Sequence, residues 1–425
     1  MIVVDLEAGD PMPEPPGSET DPVVGAGTRE IIERVRTEGD AALAELTARH
    51  DGADISGGVA VPRRLWEDAG ARIPANVRSA LDDMAARLRD LHARQLPRPW
   101  SDRRSGVTFG EVVRPLASVG CYVPGGRAEY PSSVLMTVLP ARVAGVERVV
   151  LCTPPRADGS VPDAVLRAAL IAGADAVYRV GGAQAIAALA CGTESVPRVD
   201  KVVGPGNVWV TAAKRELVGT VGIDGLAGPT ELVIVADRTA DPALLAVDLV
   251  AQAEHDPRAT TTVVALDRDL VGALELAARG EAERSPRREI VERSMAATRV
   301  VIAPDRNAAT EVSDRLAPEH LQVVVADPDA FLDTVRSFGA AFLGPRTPVS
   351  FGDYGVGSNH VLPTMGTARF ASGLRAADFV TVSSFVEATE EGLRTFGLQV
   401  EAVAGAEGLP GHARASEVRR RGGIP

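Results

Sequence analysis

Residues 176–207, AVYRVGGAQAIAALACGTESVPRVDKVVGPGN, are the part of the chain that best indicates its fold. The stretch reads as a strand (Ala176–Val180), a glycine turn, an alanine-rich helix (Ala183–Cys191) and a second strand (Lys201–Val203) that runs into another glycine turn. Strands and helices in alternation are typical of parallel sheets joined by crossover helices. The stretch therefore predicts an α/β protein.

The same alternation extends outward from this stretch, beginning near Glu111. We predict strands at Ala117–Tyr122, Arg148–Cys152, Ala176–Val180, Lys201–Val203, Leu232–Ala236, Thr261–Leu266, Arg299–Ile302, Leu321–Val325 and Ala341–Leu343. So many strands fit two sheets more comfortably than one.

The ends of the chain have a different texture. Residues 10–22 are rich in Pro, Gly and acids and are interpreted as a flexible lead-in. Two helical regions without obvious chemistry follow, at Thr28–His50 and Pro62–Gln95, and a helical tail without a strand is predicted at Val386–Arg420.

Composition excludes several classes of protein. The 425 residues carry a net charge of -12, with 45% hydrophobic and 24% charged residues, which is ordinary for a globular protein and a poor match to nucleic acid. Apolar runs are too short for a membrane span, and the N-terminus is unlike a secretory signal, so we expect a cytoplasmic protein. Cys121, Cys152 and Cys191 form no CxxC pair and are interpreted as buried small side chains.

Three glycine-rich turns directly follow predicted strands, at Val123–Gly126, Gly181–Gln184 and Gly204–Asn207. Strand ends and helix N-termini together favour phosphate, so the three turns suggest a nucleotide site, although each alone is as readily a simple turn. None fits GxGxxG, because Trp209 takes the sixth position counted from Gly204.

Polar residues cluster in three further segments. Gln252 and His255 are three apart, so on a helix they share a face and could converge on one ion, or simply cap the helix in solvent. Glu319 and His320 stand together before a strand, as a proton-transfer pair or as a satisfied turn pair.

The third segment, Phe351–His360, is a glycine-rich loop that carries an Asp and a His, which is typical of functional sites. His50 and His92 lie in charged helical segments and are interpreted as solvated, and His412 alone is interpreted as a surface residue.

From about Thr28 to Arg419 the chain resembles the histidinol dehydrogenase family in the order and spacing of its motifs. The segments that carry the resemblance are Tyr122–Gly126, Gly181–Ala188, Gly192–Pro197, Gly204–Asn207, Ile223–Glu231, Gln252–His255, Pro318–Leu321, Gly352–Tyr354, Asn359–Pro363 and Glu407–Leu409.

The resemblance implies a cytoplasmic enzyme that oxidises L-histidinol through L-histidinaldehyde to L-histidine with two NAD, the last step of histidine biosynthesis. It implies a homodimer with one zinc per subunit, held by Gln252, His255 and Asp353 of one subunit and by His412 of the other. His320 and Glu319 become the catalytic bases. The residues implied in substrate binding are Thr230, Gln252, His255, His320, Asp353, His360, Glu407 and His412, and those implied in cofactor binding are Tyr122, Gln184 and Asn207.

The resemblance also implies an architecture of two incomplete Rossmann-like parallel-sheet domains. We expect a flexible leader (1–27), a discontinuous substrate and metal domain (28–121 with 231–374), an NAD-binding domain (122–230) and a helical C-terminal extension (375–425) swapped onto the partner.

Some features depart from the family pattern. Position 230 is Thr where many relatives have Ser, which keeps the hydroxyl, and 374–387 matches only loosely. Two alternatives stay open: a zinc- and NAD-dependent paralogue that oxidises another small amino or sulfonated alcohol, and a metal-binding regulatory protein without catalysis. Glu319 and His320 argue against the second.

Overall fold

The computed structural model describes residues 1–15, 17, 21–126 and 128–422. The chain divides into a larger unit, Met1–Gln95 with Leu116–Phe379, and a smaller unit, Leu96–Pro115 with Val380–Pro425.

The strands, numbered along the chain, are β1 (Ile2–Asp5), β2 (Trp100–Arg104), β3 (Val107–Pro115), β4 (Ser118–Tyr122), β5 (Arg148–Cys152), β6 (Ala176–Tyr178), β7 (Lys201–Val203), β8 (Gly222–Ile223), β9 (Glu231–Ala236), β10 (Thr260–Ala265), β11 (Arg299–Ile302), β12 (His320–Val324), β13 (Ala340–Leu343) and β14 (Val380–Ala388). All strands predicted between residues 117 and 343 are confirmed to within a few residues.

The α-helices are α1 (Pro22–Glu38), α2 (Asp40–Asp51), α3 (Arg63–Arg72), α4 (Ala75–Ala93), α5 (Pro131–Val143), α6 (Asp163–Ala172), α7 (Gly182–Cys191), α8 (Val208–Leu217), α9 (Pro242–Ala253), α10 (Asp269–Arg284), α11 (Arg288–Ala296), α12 (Arg306–Leu316), α13 (Pro328–Leu332), α14 (Ser350–Asp353), α15 (Glu390–Ala406) and α16 (Pro410–Arg420). Short 3-10 turns lie at Thr367–Arg369 and Ala376–Phe379. None of these helices, in the part of the chain that the structure describes, is long and apolar enough to cross a membrane.

The larger unit contains two parallel sheets. The first has five strands in the order β6-β5-β4-β7-β8, and the second has six in the order β1-β11-β10-β9-β12-β13. Strands β4, β9 and β12 are buried along their whole length, which explains why they read as nearly continuous apolar runs. The prediction of an α/β fold with two parallel sheets is confirmed.

Both sheets change the direction of their strand order at one point. Counted along the chain, the five-stranded sheet has the order 3-2-1-4-5, and β9 to β13 repeat that order in the other sheet. The reversal falls between β4 and β7 in the first sheet and between β9 and β12 in the second. In α/β proteins such a switch point leaves a crevice in which ligands bind.

The N-terminal helices pack on the five-stranded sheet. Side chains of α1 and α2 share a core with α7 and α8, and those of α3 and α4 share a core with α5 and α6. Residues 28–121 were expected to group with 231–374, whereas α1 to α4 share their cores with helices between residues 131 and 217. Their apolar faces predicted that they would be buried but carried no information on which sheet would bury them.

The leader (1–27) is also corrected. Residues 2–5 form strand β1, which pairs with β11 at the edge of the six-stranded sheet, and α1 already begins at Pro22. Residues 16 and 18–20 of the leader lie outside the described residues. The sequence signal that was overlooked is the β-branched run at residues 2–4.

The smaller unit combines an antiparallel sheet with two helices. Its strand order is β14-β3-β2, and α15 packs against α16. The expected helical extension contains α15 and α16, but β14 precedes them and pairs with β3. The prediction that the tail from Val386 contributes no strand is therefore wrong. Strand β14 is exposed along nearly its whole length, so it lacks the alternation that marks a half-buried strand.

Candidate active site

One cavity of about 670 Å³ in the larger unit is lined from both parallel sheets. Its volume lies in the range of cofactor and small-molecule sites. The residues that line it and that the sequence had singled out are Tyr122, Gln184, Asn207, Thr230, His255, Glu319, His320, Asp353 and His360. Chain segments up to about 240 residues apart in sequence therefore meet here.

The five-stranded sheet presents its carboxyl edge to the cavity. Tyr122 ends β4, and Pro205 to Asn207 form the turn that follows β7, so the lining surrounds the switch point between these strands. Gln184 lies in the first turn of α7. The N-termini of α7 and α8 both border the cavity, and the positive ends of their helix dipoles suit a phosphate.

Hydrogen bonds within this edge leave polar atoms available for a ligand. The Asn207 Oδ1 accepts from the backbone N–H groups of Trp209 (3.0 Å) and Val210 (3.2 Å), which caps α8 and leaves the Nδ2 as a donor. The Tyr122 hydroxyl oxygen accepts from the Gly182 N–H at 3.1 Å, so its own proton is left to donate. Gly182 has a φ of +63°, and a Cβ there would lie 2.8 Å from the Gln184 Oε1.

The six-stranded sheet faces the cavity with the edge at which its strands begin, the amino edge. Thr230 and Glu231 stand at the start of β9, and Glu319 immediately precedes β12, the neighbouring strand. The Thr230 hydroxyl donates to the Glu319 Oε2 at 2.6 Å, and the Glu231 backbone N–H donates to the same oxygen at 2.9 Å. The carboxylate is therefore held from two sides.

A tight turn places Glu319 at this edge. Ala317, which ends α12, has a left-handed φ of +44°, and Pro318 prevents the helix from continuing. The chain thus passes from helix to strand within Ala317, Pro318 and Glu319. His320 is the first residue of β12 and packs against the ring of Phe342, with 5.9 Å between ring centroids.

Burial adjusts the protonation of both groups. It raises the pKa of Glu319 to about 7, although the hydrogen bonds from Thr230 and Glu231 oppose the shift. Burial lowers the pKa of His320, with the Asp353 charge acting in the opposite direction. At neutral pH the imidazole is therefore neutral and can accept a proton. Both of its ring nitrogens are buried without a hydrogen-bond partner, as is expected of a group that awaits a ligand.

Helix α9 and the turn that follows it place Gln252 and His255 at the same edge. The helix follows β9 and runs back along the sheet, so its C-terminus lies near the start of the strands. The Gln252 Nε2 donates to the Thr230 hydroxyl oxygen at 3.1 Å, which fixes the carboxamide. His255 and Asp353 both border the cavity, and both charges act on Glu319.

The side chains of His255 and Asp353 have the chemistry of metal ligands. Imidazole and carboxylate are usual zinc ligands, and a helix C-terminus favours positive charge. Among the described residues, no three His, Cys, Asp or Glu side chains are grouped closely enough to hold a metal by themselves. Gln252, whose carboxamide is oriented by Thr230, adds an amide oxygen to the polar atoms at this edge.

The comparisons with known proteins agree with this geometry. The sequence model of the histidinol dehydrogenase family matches residues 17–420. The chain belongs to the histidinol dehydrogenase family. The histidinol dehydrogenase of Methanothermobacter thermautotrophicus is 47% identical over 405 residues, covering 95% of this chain and 94% of the relative, and that of Chromobacterium violaceum is 46% identical over 409 residues, covering 95% and 94%. The crystal structure of histidinol dehydrogenase from Elizabethkingia anophelis superposes with a TM-score of 0.94 at 31% identity, covering 99% of this chain and 98% of that one.

Membership of the histidinol dehydrogenase family makes this chain an oxidoreductase and confirms the family predicted from the motifs. Of the residues that the resemblance implied, those of the larger unit come together at the cavity, Gln252 through its bond to Thr230. Glu407 and His412 lie in the smaller unit, Glu407 at the end of α15 and His412 in the first turn of α16.

Sequence reasoning missed some residues around the site of this histidinol dehydrogenase family member. The Ser133 hydroxyl, at the start of α5, lies 3.0 Å from the His360 Nε2, and the His360 Nδ1 donates to the Asp353 carbonyl at 3.0 Å. Both nitrogens of His360 are thus used within the chain. The pair of serines at 132–133 that opens the buried helix α5 was the available sequence signal.

His92 is buried rather than solvated. The Asn359 Nδ2 donates to its Nε2 at 3.2 Å, so the Nδ1 carries the proton and donates to the Gln95 Oε1 at 2.8 Å. The interaction ties α4 to the residue that precedes His360. His50 is exposed, as predicted, but borders the cavity.

Proposed function

We propose that this chain is a zinc- and NAD-dependent histidinol dehydrogenase that oxidises L-histidinol through L-histidinaldehyde to L-histidine, the last step of histidine biosynthesis. The observation that carries the proposal is the meeting, in one cavity, of the buried pair Glu319 and His320 with the cofactor candidates Tyr122, Gln184 and Asn207. Proton-transfer groups on one wall and polar donors beside two helix N-termini on the other suit a dehydrogenase.

His320 is the base of the first oxidation. Its neutral imidazole takes the proton of the substrate hydroxyl while the carbon loses a hydride, so the alcohol becomes an aldehyde and the imidazole becomes imidazolium. NAD, when bound, supplies the hydride acceptor. The burial of His320 favours the neutral form before the step and excludes bulk water from the imidazole.

Glu319 is the base of the second oxidation. With a pKa of about 7 it is partly ionised near neutrality, and its carboxylate removes a proton from the water that adds to the aldehyde. Because Glu319 has taken the proton of the water, the adduct is the monoanion of the hydrated aldehyde, and its loss of a second hydride gives the carboxylic acid. The bonds from Thr230 and Glu231 keep the carboxylate in place through both oxidations.

Zinc would be held by Gln252, His255 and Asp353 of one subunit and by His412 of the partner subunit. When bound it supplies a fixed positive charge that anchors and orients the amino alcohol. Thr230, His360 and Glu407 complete the proposed substrate contacts. On the cofactor side, the Tyr122 hydroxyl, the Gln184 amide and the Asn207 Nδ2 would contact NAD.

The direct test is an assay of the purified, zinc-supplemented protein with L-histidinol and NAD, followed by absorbance and by analysis of the product. We expect NADH and L-histidine in a ratio of about two to one, as the four-electron oxidation requires. NADH formation from another small amino or sulfonated alcohol, with none from L-histidinol, would contradict the proposal and favour the paralogue.

We further propose a homodimer in which the smaller unit completes the partner's site. Large apolar side chains on this unit are exposed, which is typical of an assembly surface: Val382, Val386, Leu398, Val400 and Val403. His412 is the residue that the shared site requires from this unit.

Mixing two inactive variants tests the shared site. A dimer of His412→Ala with His320→Ala contains one intact site if the tail acts on the partner, because the intact tail then meets the intact base. We expect activity to return on mixing and reassembly, up to about a quarter of the wild-type value. If the tail serves its own subunit, every site in the mixture is defective and no activity returns.

A further inference from the structure

Lys214 and Asp224 form a buried ion pair beside the cofactor edge. The Lys214 side chain is 2% exposed and the Asp224 side chain 8%, and the Lys214 Nζ lies 2.6 Å from the Asp224 Oδ1. Lys214 lies on α8, the helix that Asn207 caps, and Asp224 follows β8. Neither Lys214 nor Asp224 is among the described residues that line the cavity.

Both charges converge on a single backbone unit. The Lys214 Nζ donates to the Gly204 carbonyl at 2.6 Å, and the Gly204 N–H donates to the Asp224 Oδ2 at 2.6 Å. The ion pair therefore binds the donor and the acceptor of the same glycine. A third bond ties α8 to the segment after Asp224, since the Thr211 hydroxyl donates to the Ala227 carbonyl at 2.6 Å.

Gly204 occupies a demanding position. Its φ is +117°, and a Cβ at this residue would lie 2.0 Å from the Tyr122 carbonyl oxygen. The glycine thus presses directly against the end of β4 at the switch point of the five-stranded sheet. It also opens the turn that leads to Asn207, so the position of Gly204 sets that of two cofactor candidates, Tyr122 and Asn207.

Stability alone does not account for a pair of this kind. Taking two charges out of water costs about as much as their attraction returns, and uncharged replacements of similar volume are often neutral or stabilising. The charges are also turned away from any ligand, because the bonds described above use them on Gly204 and on each other. What the pair achieves is a fixed conformation of one turn.

We propose that Lys214 and Asp224 are positioning residues for the dinucleotide: they hold the Gly204 turn in its binding conformation before the cofactor arrives. This inference rests on the proposed NAD-linked function. A preformed turn spares the cofactor the entropic cost of ordering it, so the pair acts on cofactor affinity rather than on the chemical step. Lys214 thereby contributes to binding without touching the ligand.

The test is the double variant Lys214→Met with Asp224→Asn, which removes both charges and leaves an oxygen to accept from the Gly204 N–H. We measure the Kd of NADH by fluorescence titration, the KM of NAD, kcat, the zinc content and the Tm. We expect the Kd of NADH and the KM of NAD to rise about tenfold, with kcat at saturating NAD and the zinc content unchanged.

The matched control is Arg72→Met with Asp163→Asn. This variant removes another ion pair of the larger unit, which joins α3 to α6 on the surface. We expect wild-type NADH binding from the control. Asp224→Asn alone leaves Lys214 buried without its charge partner, so it should weaken NADH binding at least as much as the double variant and should also lower the Tm.

The outcomes separate the two proposals. Wild-type NADH affinity in both the double variant and Asp224→Asn would overturn the positioning role. A loss of kcat and of zinc in parallel with NADH affinity would also overturn it, because such a result indicates a general structural role. Failure of the unmodified protein to bind NADH at all would instead contradict the proposed NAD-linked function.

Discussion

The two parallel sheets of the larger unit share a strand order but offer the cavity opposite edges. The five-stranded sheet contributes the carboxyl ends of β4 and β7, and the six-stranded sheet contributes the amino ends of β9 and β12. The crevice at the carboxyl ends is the usual ligand site of such sheets. Here a second sheet closes that crevice with its other edge.

The difference between the edges explains which chemistry each can supply. At a carboxyl edge the following helices begin, and their free N–H groups and positive dipole ends favour an anionic cofactor. At an amino edge the helices end, so Gln252 in the last turn of α9 and His255 just after it, both proposed metal donors, lie at a helix C-terminus, where positive charge is favoured. We therefore expect substitutions at the two edges to have separable effects.

The largest effect should come from the amino edge. His320→Ala removes the proposed base of the first oxidation, and we expect kcat to fall about 10²- to 10⁴-fold. The Kd of NADH and the zinc content should stay at wild-type values, because His320 is neither a proposed zinc ligand nor one of the proposed cofactor contacts. His320→Gln, which keeps more of the side-chain volume, should be equally inactive. A His320→Ala variant that lost NADH binding as well as kcat would contradict the claim that the two edges have separable functions.

An intermediate effect is expected from Thr230, which links Glu319 to Gln252 by hydrogen bonds. Its bond stabilises the ionised carboxylate, so Thr230→Val should raise the pKa of Glu319 further above its value of about 7. The rate of aldehyde oxidation depends on the carboxylate and falls as the pH drops through this pKa. In the variant the acidic limb of the kcat profile should therefore move to higher pH, with a loss of about tenfold at neutrality.

Thr230→Ser is the matched control, because it keeps the hydroxyl. We expect a wild-type pH profile and wild-type zinc content. A profile of Thr230→Val that coincides with that of the serine variant would show that the hydroxyl does not tune Glu319.

The smallest effect should come from the carboxyl edge. Asn207→Ser keeps an oxygen to cap α8 but lacks the Nδ2, whereas Asn207→Ala loses both functions. Both variants should raise the KM of NAD several-fold with little change in kcat, and only the alanine variant should lose about 1 kcal/mol of stability. Steady-state kinetics and thermal unfolding measure the two quantities. An unchanged KM in the serine variant would remove Asn207 from the cofactor site.

The sequence predicted the buried parts of the molecule better than its edges. Strands such as β9 and β12 are covered on both faces, so they are apolar runs that stand out without alignment or coordinates. Strand β2, WSDRR, is exposed and polar, and its pairing with β3 gives no local pattern to detect. The packing of α1 to α4 on one sheet was equally invisible, since an apolar face does not specify its partner.

The site shows the same division. The spacing of Gln252 and His255 indicated that the two residues lie close together, although α9 ends at Ala253 and His255 follows it in a turn. The approach of Gln252 to Thr230 depends on the direction in which α9 crosses the sheet. His92 sits among arginines and aspartates, which is typical of a solvated face, and only the tertiary structure pairs it with Asn359. Contacts between residues that are distant in sequence depend on the topology of the fold, so the local sequence does not predict them.

The central claim is that one cavity carries out two successive oxidations, with Glu319 needed for the second. A single turnover with enzyme and NAD in excess over L-histidinol tests it, with NADH counted by absorbance and products identified after quenching. The unmodified protein should yield two NADH per L-histidinol, and Glu319→Gln should yield one and stop at the aldehyde. Two NADH from Glu319→Gln at the unmodified rate would contradict the account.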